Sequence, residues 1–168
     1  MKKLAGNRSP NWAFLQPFAV PDYDSDDTYL WRLRIVQTPL FGVYLHKLGT
    51  PDPRDTLHDH PWPFVSIVLR GGYDEMRRRT HDISEEWWDA DRKIIGYAYR
   101  HRVRFLNWMP MDALHWIEKL HRTPTWTLVF VGRRQRVWQY MDRDGTLTDF
   151  DKHAHNEAFE AAMARRRS

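Results

Sequence analysis

The sequence contains no cysteine. Disulfides, thiolate metal sites, iron–sulfur clusters and cysteine nucleophiles are therefore excluded, and a bound metal would have to rely on His, Asp, Glu or water. No run approaches the roughly 20 apolar residues that span a bilayer. Residues 1–21 carry no continuous apolar stretch of the signal-peptide kind. The expectation is a soluble, cytoplasmic protein with no membrane partner, and the missing cysteines fit that compartment. Familiar catalytic templates are also missing: there is no Gly-X-Ser-X-Gly, no phosphate-binding glycine loop and no His-Glu-X-X-His. No repeat, low-complexity tract or linker divides the chain, so its 168 residues read as one domain. Neither sign of charge dominates, with 26 basic and 22 acidic residues giving +4. Much of the excess sits in Arg77–Arg79 and Arg165–Arg167. Nucleic acid is accordingly not the expected partner.

Aromatic residues, by contrast, are abundant. Nine tryptophans are expected to pack the core and its rim, because an indole combines a large apolar area with one hydrogen-bond donor. Residues 1–28 are polar, with Pro10, Pro17, Pro21 and an acidic cluster at Asp22, Asp24, Asp26 and Asp27. They read as an irregular arm or edge segment pinned to the body by Trp12, Phe14 and Phe18. Strand patterns then follow at short intervals: 29–36, 41–48, 64–69, a return over 73–80 as the hairpin partner of 64–69, a pair around 94–97, 101–106, a turn feeding a strand within 107–120, then 125–132 and 137–140. In the first of these, Trp31, Leu33 and Ile35 share one face and Leu30, Arg32 and Arg34 the other. Asp144-Gly145 marks a late hairpin, and 156–166 within the 151–168 tail has a helical pattern. Many short strands with Gly/Pro turns and one terminal helix predict an all-β barrel or double-sheet roll over 29–150.

The most informative stretch is His58-Asp59-His60-Pro61-Trp62-Pro63-Phe64, leading to Gly71-Gly72-Tyr73. Side chains two apart on extended backbone point the same way, so His58 and His60 present two imidazoles side by side while Asp59 faces away. Imidazole is a common ligand for zinc, iron, copper and nickel. Two ligands begin a metal site, and a third must come from elsewhere in the chain. A second His-X-His, His153 and His155, precedes the helical tail and has no partner motif.

These residues resemble the cupin superfamily. Its first motif runs Gly, five residues, His-X-His, three or four residues, Glu, six residues, Gly. Here His58-Asp59-His60 is followed by Phe64 in place of the Glu and by Gly71 at the closing glycine, and the opening Gly is displaced. The second motif, Pro-X-Gly-X-X-His-X-X-X-Asn, reads Pro110 to His115 with Asp112 for the Gly and Lys119 for the Asn. The resemblance covers about residues 40–140. It is closer still to small single-domain bacterial and phage cupins with His-Asp-His-Pro-Trp and Gly-Gly-Tyr.

The resemblance implies a cupin jelly-roll β-barrel holding a divalent metal on His58, His60 and His115, with iron as the leading candidate and nickel, manganese or zinc as alternatives. Phe64 cannot ligate, which leaves a three-His set. By alternation, Phe64, Ser66 and Val68 share the face of His60, and Ile117 and Lys119 that of His115. Tyr44, Tyr73, Trp116, Trp126 and Arg34 are candidates for the mouth. Among the spare histidines His46, His101 and His121, His46 is the best substitute ligand or base. The leading functional expectation is a metal-dependent enzyme with a dioxygenase-type reaction on a small molecule, the three histidines being catalytic through the metal. The alternatives are a non-catalytic small-molecule or protein-binding cupin, and a metal-free isomerase or epimerase using His60 with Tyr73 or Tyr140. By analogy with cupins, a homodimer is expected.

Overall fold

A computed structural model describes residues 12–21, 28–52, 57–79, 98–141 and 147–149. The described residues form eleven strands and no helix: β1 Ala13–Pro21, β2 Thr28–Gln37, β3 Gly42–Leu48, β4 Phe64–Arg70, β5 Tyr73–Arg79, β6 Tyr99–Val103, β7 Leu106–Met109, β8 Ala113–Leu120, β9 Thr125–Val131, β10 Gln139–Met141 and β11 Leu147–Asp149. The expected helix at 156–166, the strand pair near 94–97, the Asp144-Gly145 turn and His153/His155 lie outside the described residues. The strands flanking that turn, β10 and β11, do pair antiparallel.

The first sheet has the order β1-β2-β3-β9-β4-β7 and the second β6-β5-β8, every pairing antiparallel. The segment 57–59 extends the second sheet. His58 bridges His115 on one side and Tyr140 on the other, which joins β8 to the β10-β11 ribbon. Two antiparallel sheets with non-sequential neighbours give the double-sheet jelly roll expected from the strand spacing. Leu30 and Leu48 from the first sheet meet Tyr73, Val103 and Ile117 from the second in one buried cluster. A second cluster, Tyr44, Phe64, Met109, Ala113, Val129 and Val131, fills the neighbouring layer. Leu57, Leu114 and Met141 pack as a third. Among the described residues no helix is long and apolar enough to cross a membrane.

The structure corrects three expectations. Of the two readings of the N-terminal segment, the irregular arm fails and the edge holds over 13–21: β1 is the edge strand of the first sheet, where Pro17 and Pro21 are tolerated because one side needs no donors. Trp12, Phe14 and Phe18 do not pin it by burial, being 71%, 75% and 39% exposed; backbone pairing with β2 holds the segment. Finally, β5 is not the hairpin partner of β4. Gly71 and Gly72 have φ of +92° and +127°, and the chain turns there from one sheet into the other, so that β5 pairs with β6 and β8. A Cβ would come within 2.5 Å of Thr125 Oγ1 at Gly71 and within 2.8 Å of the Val103 carbonyl at Gly72. Only glycine fits both the torsions and the space.

Candidate metal centre

Extended backbone brings the three histidines together. The N–H of His58 donates to the carbonyl of His115 at 3.0 Å and the N–H of His115 to that of His58 at 2.9 Å, so the two residues sit directly opposite each other on adjacent strands. His60, two positions on, falls on the same face. Ring centroids are 5.4 Å apart for His58–His60, 4.9 Å for His58–His115 and 5.0 Å for His60–His115. One nitrogen from each ring lies within 4.8 Å of the others.

Asp59 takes the opposite face, as the two-residue period requires, and is fully buried. It accepts the N–H of Gln139 at 2.8 Å and lies 2.9 Å from Arg136 Nη2. Burial pushes its carboxyl up, against the pull of the Gln139 bond and of Arg136. Its role is mechanical: it ties the His-X-His segment to the start of β10.

His60 Nε2 and His115 Nε2 are 2.8 Å apart. Two nitrogens bound to one ion at about 2.1 Å and at right angles would lie ~3 Å apart. Burial, then the neighbouring His115 and His58, hold His60 well below the ordinary imidazole range, so it is neutral and its lone pair is available. The donor set therefore fits a divalent metal with imidazole preference, and His58, His60 and His115 are the residues that would hold it.

Behind the rings lies a carboxylate that the motifs do not reveal. Glu75 on β5 has no exposed surface, and its Oε2 is 2.8 Å from His115 Nδ1. Its Oε1 accepts from Arg77 at 2.6 and 3.1 Å and from Asn107 Nδ2 at 3.2 Å. Burial raises the Glu75 carboxyl, but His115 and Arg77 outweigh it and hold the group below its ordinary range. An ionised Glu75 accepts a hydrogen bond from His115 Nδ1–H, which leaves Nε2 as the lone-pair nitrogen facing His60. Asn107 also donates to the Tyr73 hydroxyl at 3.0 Å, and that hydroxyl is 3.4 Å from Ser66 Oγ.

Aromatic rings enclose the histidines. Phe64, at the position of the motif glutamate, meets His60 edge-on at 4.8 Å. Trp138 lies 5.6 Å from His58 and stacks on His60 at 6.1 Å, and Tyr140 is 5.8 Å from His58.

Of the expected interior residues, Tyr44, Phe64, Ser66, Tyr73 and Ile117 are buried between the sheets. His46 is on the same inward face as Tyr44, 6.1 Å away and stacked. Arg34, expected at the mouth, is 5% exposed and points inward. Lys119 is not in the site. Glu75 pairs with Ile117 and Asp74 with Lys119, so Glu118 is an extra residue on β8; this bulge reverses the alternation and turns Lys119 outward, where it is exposed. Trp116 packs with Leu114 on the side of β8 away from His115, and Trp126 meets Trp31 and Lys47 outside the barrel. His121 pairs with Asp74 at 2.9 Å, away from the site. Glu75 could have been found by counting alternate positions from Tyr73, but its approach to His115 depends on the β5–β8 register. Trp138 carried no signal.

No family profile and no curated protein matches the chain. Solved structures similar to it include an RmlC-like cupin from Shewanella frigidimarina NCIMB 400, at 11% identity over 76% of this chain and 95% of that one (TM-score 0.45). Another is Rru_A2000 from Rhodospirillum rubrum, a cupin-2 domain, at 13% identity over 97% and 93% (TM-score 0.48). A third is hydroxypropylphosphonic acid epoxidase from S. wedmorenis, at 14% identity over 70% of this chain and 55% of that one (TM-score 0.45).

Proposed function

We propose that the protein is a metal-dependent cupin enzyme acting on a small molecule, with a dioxygenase-type reaction at His58, His60 and His115. The observation that carries this reading is the convergence of three imidazole nitrogens within 4.8 Å, buttressed by a buried carboxylate on His115. His58, His60 and His115 would hold a divalent metal, which would supply Lewis-acid and redox chemistry towards a substrate oxygen and dioxygen. The protein's own residues do the rest. Glu75 fixes the tautomer and angle of His115, and Arg77 and Asn107 fix Glu75. Phe64, Trp138 and Tyr140 exclude water from the histidine side. Ser66, Tyr73 and Asn107 form a polar wall that can orient a ligand.

The test is dioxygen uptake by iron(II)-loaded protein against pooled small metabolites, with His58→Ala as control. Uptake with one pool, absent in the variant, supports the reading. No uptake with any pool, by protein that retains its metal, points instead to a non-catalytic binding cupin.

One observation favours a second reading. Glu75, His115 and His60 form a continuous chain of contacts at 2.8 Å, the arrangement of a carboxylate-supported histidine base, as a metal-free isomerase or epimerase would need. Of its two tyrosine candidates, Tyr73 is already bonded to Asn107 and raised far above its ordinary range by burial and Glu75. Tyr140 lies beside His58.

A further inference from the structure

The wall of the barrel formed by β2 and β3 carries charge where a core would carry leucine. Arg32 pairs with His46 and Arg34 with Tyr44 in the β2–β3 register. Leu30 and Leu48, on that same face, join the core shared with the second sheet. Both guanidinium groups therefore point inward, and the apolar residues Trp31 and Leu33 take the other face.

Arg32 Nε donates to His46 Nε2 at 2.8 Å, and its Cζ lies 5.2 Å over the Tyr44 ring. Neither partner is an anion. Among the described residues no Asp or Glu pairs with Arg32, and none of its terminal nitrogens makes a hydrogen bond. Arg34 fares little better. It donates to Gln16 at 2.9 Å and lies over Phe18, and its Nε is buried without a partner. Glu75, an acid inside the barrel, is already engaged by Arg77, Asn107 and His115. Arg32, His46 and His60 are each half-buried and keep some accessible surface. Burial pulls the Arg32 guanidinium down to about 10, so it is charged at neutral pH.

We propose that Arg32, seated between His46 and the Tyr44 ring, is the counter-ion for a carboxylate group of the small molecule that occupies the barrel. A buried cation without an anion is unfavourable until a ligand supplies one. The free edge of a guanidinium matches a carboxylate with two parallel hydrogen bonds. Because Arg32 can only donate, His46 Nε2 must accept, so the His46 proton is on Nδ1. Arg34, two residues along, adds positive potential. This names the substrate class for the site proposed above and rests on the barrel interior being a small-molecule site, though not on the metal being present.

The experiment is titration of the full-length protein with sodium malonate by calorimetry, against sodium chloride at matched ionic strength. Wild type, Arg32→Gln and Arg32→Lys are compared, each with and without chelator treatment. The proposal expects saturable malonate binding to wild type, weakened by about 30-fold or more in Arg32→Gln and by a smaller factor in Arg32→Lys. If Arg32→Gln does not fold, the weakening in Arg32→Lys decides. Wild type that binds malonate no better than chloride overturns the proposal. Binding that survives in Arg32→Gln but is lost with chelator also overturns it, because malonate is then ligating the metal, and the metal reading stands. Arg32-dependent binding by protein that never holds a metal supports the proposal and sinks the metal reading instead.

Discussion

Glu75 Oε2 lies 2.8 Å from His115 Nδ1, with the carboxylate fully buried and the opposite nitrogen of the ring turned towards His60. A histidine braced in this way on a carboxylate is a better metal ligand, because its tautomer is fixed and its basicity raised. Glu75→Gln should lower metal affinity by about 10- to 100-fold while leaving the far-ultraviolet circular dichroism unchanged. Chelator competition measures this directly, and an affinity equal to wild type would show that Glu75 serves packing alone.

Acid should destabilise the metal-free protein before its carboxylates titrate. His60 and His46 are both held well below the ordinary imidazole value, by burial first and then by nearby positive charge. Below about pH 6.5 the unfolded chain binds protons that these folded residues refuse. Their contribution is thus complete above that pH and is lost as the pH falls, at up to about 1.4 kcal/mol per pH unit for each group. Glu75, held below its ordinary range, is expected to add a further loss at lower pH. Urea unfolding of chelator-treated protein between about pH 7.5 and 5.5 reads the slope, and His46→Gln should reduce it. A flat profile would mean that the two rings are protonated in the fold.

The glycine corner is expected to be intolerant. Gly72→Ala must adopt a φ of +127° with its Cβ 2.8 Å from the Val103 carbonyl, at a cost of about 1–3 kcal/mol. Thermal melting should show the loss, and an unchanged midpoint would contradict the tight passage between the sheets.

How far the sequence could be read depended on the range of the interaction. The pairing of His58 with His60 is a property of three consecutive extended residues, so it was legible at once, and so was the inward row from His60 through Phe64 and Ser66. The third histidine, His115, came from the second motif and not from any local pattern. Lys119 shows where alternation fails: a single extra residue, Glu118, on β8 reverses the parity, and bulges leave no mark in composition. The arginines of β2 were left open for a related reason. A strand with Trp31 and Leu33 on one face and Arg32 and Arg34 on the other does not say which face is inside, and pairing with Tyr44 and His46 turns the charged face inward. Local pattern names the two faces, and only the partner strand says which of them is buried.

Lys119 and Ile117 test the corrected register together. Lys119→Ala, at an exposed site, should change stability by less than about 0.5 kcal/mol. Ile117→Ala, in the buried cluster with Leu30 and Tyr73, should cost about 2–5 kcal/mol. Comparable losses in both variants would restore the unbulged register.

The most direct test of the central claim is the metal content of untagged protein by elemental analysis, for wild type and His115→Ala after loading with iron(II), manganese(II), nickel(II) or zinc(II). The account predicts about one ion per chain in wild type, tightly retained, and its loss in His115→Ala with the fold intact. Wild type that retains no ion from any of the four, or a variant that keeps a full equivalent, would contradict it.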